Sequence, residues 1–212
     1  TLISSQESII ANGKFTLNMS GGTLSGKPAR QNMYNPSVVC NGEALINMTG
    51  GKIETTANQS IAVCAKNDSV INLSGDAVIS GTNAGIRFGD FSGRDLGNNN
   101  VVNISGNAKV TANGAGNNWK IGFAIQANAT NTSINVSENA TIQGSSYGVL
   151  AGQDGCSVTV SDNATIIATS GSEGYGIGAP DITITGGTIT AKNYGVISDM
   201  ANSVVVINNS SY

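Results

Sequence analysis

The sequence predicts an all-β chain wound as a single-stranded, right-handed parallel β-helix of about seven coils, each with three short strands. Three observations predict it. One phrase recurs from end to end, its apolar residues alternate strictly, and a second, glycine-marked phrase recurs in step with it. The first phrase reads INMTGGKI at Ile46–Ile53, VTVSDNATI at Val158–Ile166 and ITITGGTI at Ile182–Ile189. Its hydroxyl stands at Ser20, Thr49, Ser74, Ser105, Ser137, Ser161 and Thr185, with Asn208 in that place at the end. Successive positions lie 23 to 32 residues apart, within the range of solenoid repeats. A repeat that runs throughout makes residues 1–212 one domain.

The first strand of each coil is an apolar–polar–apolar triplet, such as Ile46/Met48, Ile71/Leu73 and Val102/Ile104. Period-two alternation sends these pairs to one side and the middle residue to the other. That middle row is Asn18, Asn47, Asn72, Asn103, Asn135, Thr159 and Thr183, an outward ladder of amides and hydroxyls. A turn follows, carrying Gly22, Gly51, Asp76, Asn107, Asn139, Asn163 and Gly187, residue types that tolerate left-handed backbone. The second strand points Leu24, Ile53, Ile79, Val110, Ile142, Ile166 and Ile189 inward, with a row of small residues two positions on.

Glycine marks the third strand: AGIRF at Ala84–Phe88, YGVLA at Tyr147–Ala151, YGIGA at Tyr175–Ala179 and YGVIS at Tyr194–Ser198. Alternation predicts Val38, Ala62, Ile86, Phe123, Val149, Ile177 and Val196 inside. Val39, Val63, Arg87, Ala124, Leu150, Gly178 and Ile197 are then expected outside. Consecutive parallel strands with no hairpin turns between them exclude an antiparallel sandwich. Handedness follows from the general chirality of parallel crossovers. Residues 1–14 are a candidate N-terminal cap for an otherwise sticky edge, while VVVINNSSY ends the chain on an apolar strand.

Composition narrows the function classes. Charged residues make up 11% of the chain, well below the usual quarter or so, and Asn, Ser, Thr and Gly take their place. The net charge of −3 without a basic cluster argues against nucleic acid. No apolar run approaches the ~20 residues of a membrane span. With no initiator Met and no signal peptide, the chain reads as a mature or trimmed segment, part of a larger surface protein. The chain has no His and no C-x-x-C pair. Cys40 and Cys64 fall in one phase of neighbouring repeats, giving either two stacked core residues or a disulfide between coils; Cys156 has no partner in phase.

Departures from the repeat are where function is expected. Residues 90–100 (DFSGRDLGNNN) and 113–120 (NGAGNNWK) are inserted loops at opposite ends of the third strand, so they flank its outer face. That face reads apolar, beside a glycine row at Gly85, Gly122, Gly148, Gly176 and Gly195 that permits close backbone approach. Such a face is a ligand groove, a partner surface or the floor beneath a covering loop. Trp119, the one tryptophan, either stacks on a sugar ring or packs down on Phe123 or Phe91 to anchor its loop. Arg87, Asp90, Arg94, Asp95 and Lys120 supply the nearby charge for a uronic acid or Ca²⁺, or simply solubilise the loop. Tyr147, Tyr175 and Tyr194 share one phase and predict a stacked ladder. N-x-S/T triplets at fixed repeat positions are explained by ladder chemistry, and so many of them favour a bacterial origin.

The phrases ITITGGTITAKNYGVIS and VTVSDNATIIATSGSEGYGIGA resemble repeats of secreted and cell-wall-attached bacterial proteins of the pectate-lyase-like superfamily. They are also similar to those of a β-helical carbohydrate-binding family whose acidic residues beside a Gly-Ile phrase bind calcium. Here that phrase reads YGIGAP, YGVISD and AGIRFG, without the acidic pattern. The Gly-His-Gly motif of polygalacturonase-like hydrolases is absent too, and Asp90 and Asp95, the one close aspartate pair of the insertion, stand on a loop poorly suited to hold paired carboxylates rigid. Pectate lyases use an Arg or Lys base near calcium ligands, which Arg87 or Lys120 with Asp90 and Asp95 would imitate. The resemblance implies a non-catalytic, extracellular or cell-surface bacterial module that binds a polysaccharide or a host or cell-wall glycan. A polysaccharide lyase and a purely structural spacer are the alternatives.

Overall fold

A computed structural model describes residues 1–5, 7–26, 36–89, 97–114, 122–169, 174–198 and 203–208. The fold is a right-handed parallel β-helix of about seven turns. Among the described residues, three parallel sheets of eight strands each form its walls. Strands succeed one another around the coil, so each pairs only with the strand one coil before and one coil after. The first sheet runs from Phe15–Met19 to Val204–Ile207, the second from Leu2–Ser4 to Thr188–Ala191, the third from Ile9–Ala11 to Tyr194–Ile197. Residues reserved for a cap therefore include strands that continue the second and third ladders, with Leu2 beside Leu24 and Ile9 beside Val38.

The first sheet follows period two throughout. Ile46, Met48, Ile71, Leu73, Val102 and Ile104 are fully buried, in register from coil to coil. Between them runs the amide ladder. The Nδ2 of Asn47 donates to Oδ1 of Asn18 at 2.8 Å; Asn72 to Asn47, Asn103 to Asn72 and Asn135 to Asn103 each repeat the bond at 2.9 Å. Each inner amide thus donates once to the coil before and accepts once from the coil after. Stacked identical side chains do this because parallel strands lie ~4.8 Å apart.

The turn into the second sheet comes in two forms. In the Gly-Gly coils the left-handed residue is the second glycine, Gly22, Gly51 or Gly187. In the coils with Ala it falls one position earlier, on Gly75, Gly106, Glu138 and Asp162, so Asp76, Asn107, Asn139 and Asn163 do not carry positive φ as expected. The cause is one extra residue: Ala77, Ala108, Ala140 and Ala164 tuck completely into the core. Each donates its N–H to the preceding serine carbonyl at 3.2–3.3 Å, closing a β-turn. Glu138 and Asp162 hold strained backbone, and their carboxylates accept from the turn one coil earlier. Glu138 Oε2 takes Gly106 N–H at 2.7 Å, and Asp162 Oδ2 takes Glu138 N–H at 3.1 Å.

The third sheet departs from strict alternation. Its pairing aligns Val63 with Ile86, Ile86 with Ile125, and Ile125 with Val149. Val63 and Ala124 are therefore inside, while Cys64 and Gln126 take the outward places in line with Arg87. Two successive residues face inward in each strand, because the wall bends there to meet the second sheet. Gly85, Gly148 and Gly176 stand at the first of the two. A Cβ on Gly148 would meet Ile166 Cγ2, one on Gly176 would meet Ile189 Cγ2, and one on Gly85 would lie 2.7 Å from Val110 Cγ1. The glycines make room for the isoleucine row of the second sheet, not for a ligand outside. Gly122 precedes Phe123 and lies outside that row.

Cys40 and Cys64 are not in phase. Cys40 pairs with Ala65 and sits in the core, whereas Cys64 pairs with Val39 and faces out. Neighbouring strands present them on opposite faces, so no disulfide joins them, and all three cysteines are buried thiols outside any disulfide. Burial, with a smaller contribution from Cys64, pushes the Cys40 thiol up to about 12. Cys156 has no cysteine in phase with it: its neighbours in the stack are Thr132, Asn100 and Ser69, all buried. Its Sγ–H donates to Ala129 O at 3.1 Å, and burial raises its pKa.

Candidate functional site

The outer faces of the first and second walls are largely polar, with aliphatics such as Leu45, Val70, Val101 and Ile167 among them; the third sets aromatic and aliphatic rows around Arg87 and Gln126. Along the third sheet the outward row is Val39, Cys64, Arg87, Gln126, Leu150, Gly178 and Ile197. Beside it, at the corner with the second sheet, runs a second outward row of Ile61, Ala84, Phe123, Tyr147, Tyr175 and Tyr194. Ile61, Cys64, Ala84 and Phe123 form a second hydrophobic cluster outside the main core, with Tyr147 and Leu150 packed against it.

The face differs along its length. In its central coils it is not an open groove: Ile61 and Ala84 are fully buried, and Arg87 is only 8% exposed. Toward the C-terminal coils it opens, with Leu150 and Ile197 half-buried and Tyr194 57% exposed. Gly178 is a saddle between them, its missing side chain filled by Leu150 Cδ1 and Ile197 Cγ2.

The tyrosine ladder is present, and Phe123 is its first rung instead of a core residue. Ring centroids are 4.9 Å apart for Phe123–Tyr147 and for Tyr147–Tyr175, and 5.6 Å for Tyr175–Tyr194. Interplanar angles of 18°, 22° and 9° make every pair stacked. Such pairs contribute ~0.5–1.5 kcal/mol each beyond their burial. A legible signal marks this register: Phe123-Ala124-Ile125 repeats the pattern of Tyr147-Gly148-Val149 and Tyr175-Gly176-Ile177.

Arg87 lies in the middle of the face, between Cys64 on one side and Gln126 on the other. The described residues stop at Gly89, just past Arg87 and Phe88, and resume at Gly97; they stop again at Gly114 and resume at Gly122, just before Phe123. Asp90, Arg94, Asp95, Trp119 and Lys120 lie outside the described residues. Among the described residues, no group of three or more His, Cys, Asp or Glu side chains converges to hold a metal ion. No helix of the described residues is long and apolar enough to cross a membrane.

Compared with protein-family models, with curated proteins and with solved structures, the chain matches none.

Proposed function

We propose that the chain is a non-catalytic module of an extracellular or surface-attached bacterial protein, adhesin-like or carbohydrate-binding, built on a β-helix of the pectate-lyase-like kind. Its contact surface is the outer face of the third sheet. The observation that carries this reading is the contrast between walls: among the described residues, the third face alone sets a stacked aromatic ladder beside apolar Leu150 and Ile197. Aromatic side chains combine an apolar surface with a polar handle, which suits the mixed faces of a sugar ring. Tyr175 and Tyr194 are the contacts at the open end. Trp119 is a further stacking platform, and Arg87, Asp90, Arg94, Asp95 and Lys120 are polar partners for an acidic glycan, alone or through Ca²⁺.

A structural spacer is the second reading, favoured by the burial of Ile61, Cys64 and Arg87 at the centre of the face. Affinity electrophoresis against plant, cell-wall and host polysaccharides, with and without calcium, separates the two. Retardation by one glycan that disappears in Tyr175→Ala and weakens in Trp119→Ala supports the binding face. Mobility unchanged by every glycan leaves the spacer.

A further inference from the structure

Three consecutive coils carry a phenol at one corner of the third wall. Tyr147 is the register partner of Tyr175, and Tyr175 of Tyr194. Register partners on neighbouring strands lie ~4.8 Å apart, so the backbone itself dictates this stack. The ring centroids follow that spacing at 4.9 Å and 5.6 Å, with the planes within 22° of parallel. In the coils before, the same row holds Phe123, Ala84 and Ile61, none of which bears a hydroxyl. Tyr147 and Tyr175 are half-buried and Tyr194 is exposed, so none of the three is sealed in the core. Neither Tyr175 nor Tyr194 belongs to an apolar cluster of the described residues, so core packing does not lock their rings.

We propose that this row is a site of oxidative cross-linking, at which hydrogen peroxide and a haem peroxidase join Tyr175 to Tyr147 or to Tyr194. The peroxide takes one electron and one proton from each of two phenols and leaves as two molecules of water. Each phenoxyl radical shares its unpaired electron with the ring carbons beside the oxygen, and a bond forms between one Cε of each ring. The hydrogen on each joined carbon then moves to its own oxygen, restoring both phenols. The product is a dityrosine lighter than the starting pair by two hydrogen atoms. Free in solution, two such radicals must first meet. Here the partner ring is already in contact, and holding two reactants together acts as a very high local concentration. Among the described residues Tyr175 alone has a phenol on each side, so every coupling between neighbours in the row uses it. Phe123 ends the row because it has no phenol to oxidise. The new bond ties one coil to the next and limits the freedom of the unfolded chain, as other covalent cross-links do.

Oxidation of the whole chain in dilute solution by hydrogen peroxide and a haem peroxidase, followed by isolation of the monomer, tests this. The monomer is expected to gain dityrosine fluorescence and to lose the mass of two hydrogen atoms. Trypsin then locates the bond, because no Lys or Arg stands between Lys120 and Lys192. A Tyr175–Tyr194 bond joins two tryptic peptides across Lys192, whereas a Tyr147–Tyr175 bond leaves one peptide lighter by two hydrogens. This map of the wild type decides without any variant. Tyr175→Phe keeps the ring and its stack but removes the phenol, and its monomer is expected to lose the fluorescence. Tyr147→Phe and Tyr194→Phe each keep one pair and are expected to retain it. A wild-type monomer without dityrosine, a Tyr175→Phe monomer that fluoresces like wild type, or bonds that run to Tyr34 or Tyr212 would each overturn the proposal. Dityrosine formed only between molecules would overturn it as well.

Discussion

The outer faces of the first and third sheets are built from the same number of strands at the same spacing, yet they are held by different chemistry. On the first sheet each inner Asn donates once and accepts once along the stack, so this ladder of amides binds its own neighbours. On the third sheet the stacked elements are rings and aliphatics, held by ring stacking and apolar contact. A ladder that satisfies itself is a poor contact surface; one that leaves apolar edges outward is a better one. The difference in facing arises at one position, the small residue (Ala62, Gly85, Ala124, Gly148 or Gly176) that lets the third strand turn two residues inward.

Filling that position with a larger side chain is the most damaging test. Gly148→Val puts a branched side chain against Ile166 and 2.7 Å from Gly176 O, and is expected to cost about 3 kcal/mol in urea denaturation. The same change on the first wall, Thr159→Val, leaves the inward packing untouched and serves as the control. Next, Tyr147→Ala removes the middle of two stacks and part of the packing against the Ile61, Ala84 and Phe123 cluster, for about 2 kcal/mol. A change below about 0.5 kcal/mol would mean that the rings stack without stabilising the corner.

Cys40 supplies a pH test on the inner side of the third sheet. Its thiol is raised from 9.0 to about 12 in the folded chain, so above pH 9 the unfolded chain releases a proton that the folded chain keeps. Stability contributed by this group is complete below pH 9 and falls as pH rises toward 12, by at most about 1.4 kcal/mol per unit. Thermal melts at pH 8 and pH 10 are expected to show that decline, and Cys40→Ala to lessen it.

On the first wall, Asn103→Ala deletes a donor to Asn72 and an acceptor for Asn135, both at 2.9 Å and exposed. Their loss is expected to cost about 1 kcal/mol, with Asn103→Asp intermediate because it keeps the acceptor alone. The smallest effect belongs to Glu138→Gly. Relief of positive φ opposes the lost bond to Gly106, and the net change is expected within about 0.5 kcal/mol of zero. A loss well above that would rank the carboxylate bond over the backbone strain.

How far the sequence could be read follows the same division. Where the strand keeps period two, as at Ile46-Asn47-Met48, the inward pair, the outward amide and the coil-to-coil pairing were all legible. Where it does not, alternation misplaced Val63, Cys64, Phe123 and Ala124, because a glycine or alanine at a bend adds one inward residue that no polarity pattern marks. The candidate contact face was legible as an apolar wall between two insertions. Its closed centre was not, since the depth of Ile61 and Arg87 is a property of the folded chain that the pattern of their own strands does not record.

Sequence by itself determined the parallel β-helix, its three walls, the isoleucine core and the asparagine ladder, because each is a local pattern repeated until only one stacking satisfies every copy. Tertiary structure alone decided which thiol faces the core, which aromatic begins the ladder and where the third wall is open. Those depend on how two sheets meet at a corner, and the contact of Gly148 with Ile166 joins residues that are neighbours only after the chain has coiled.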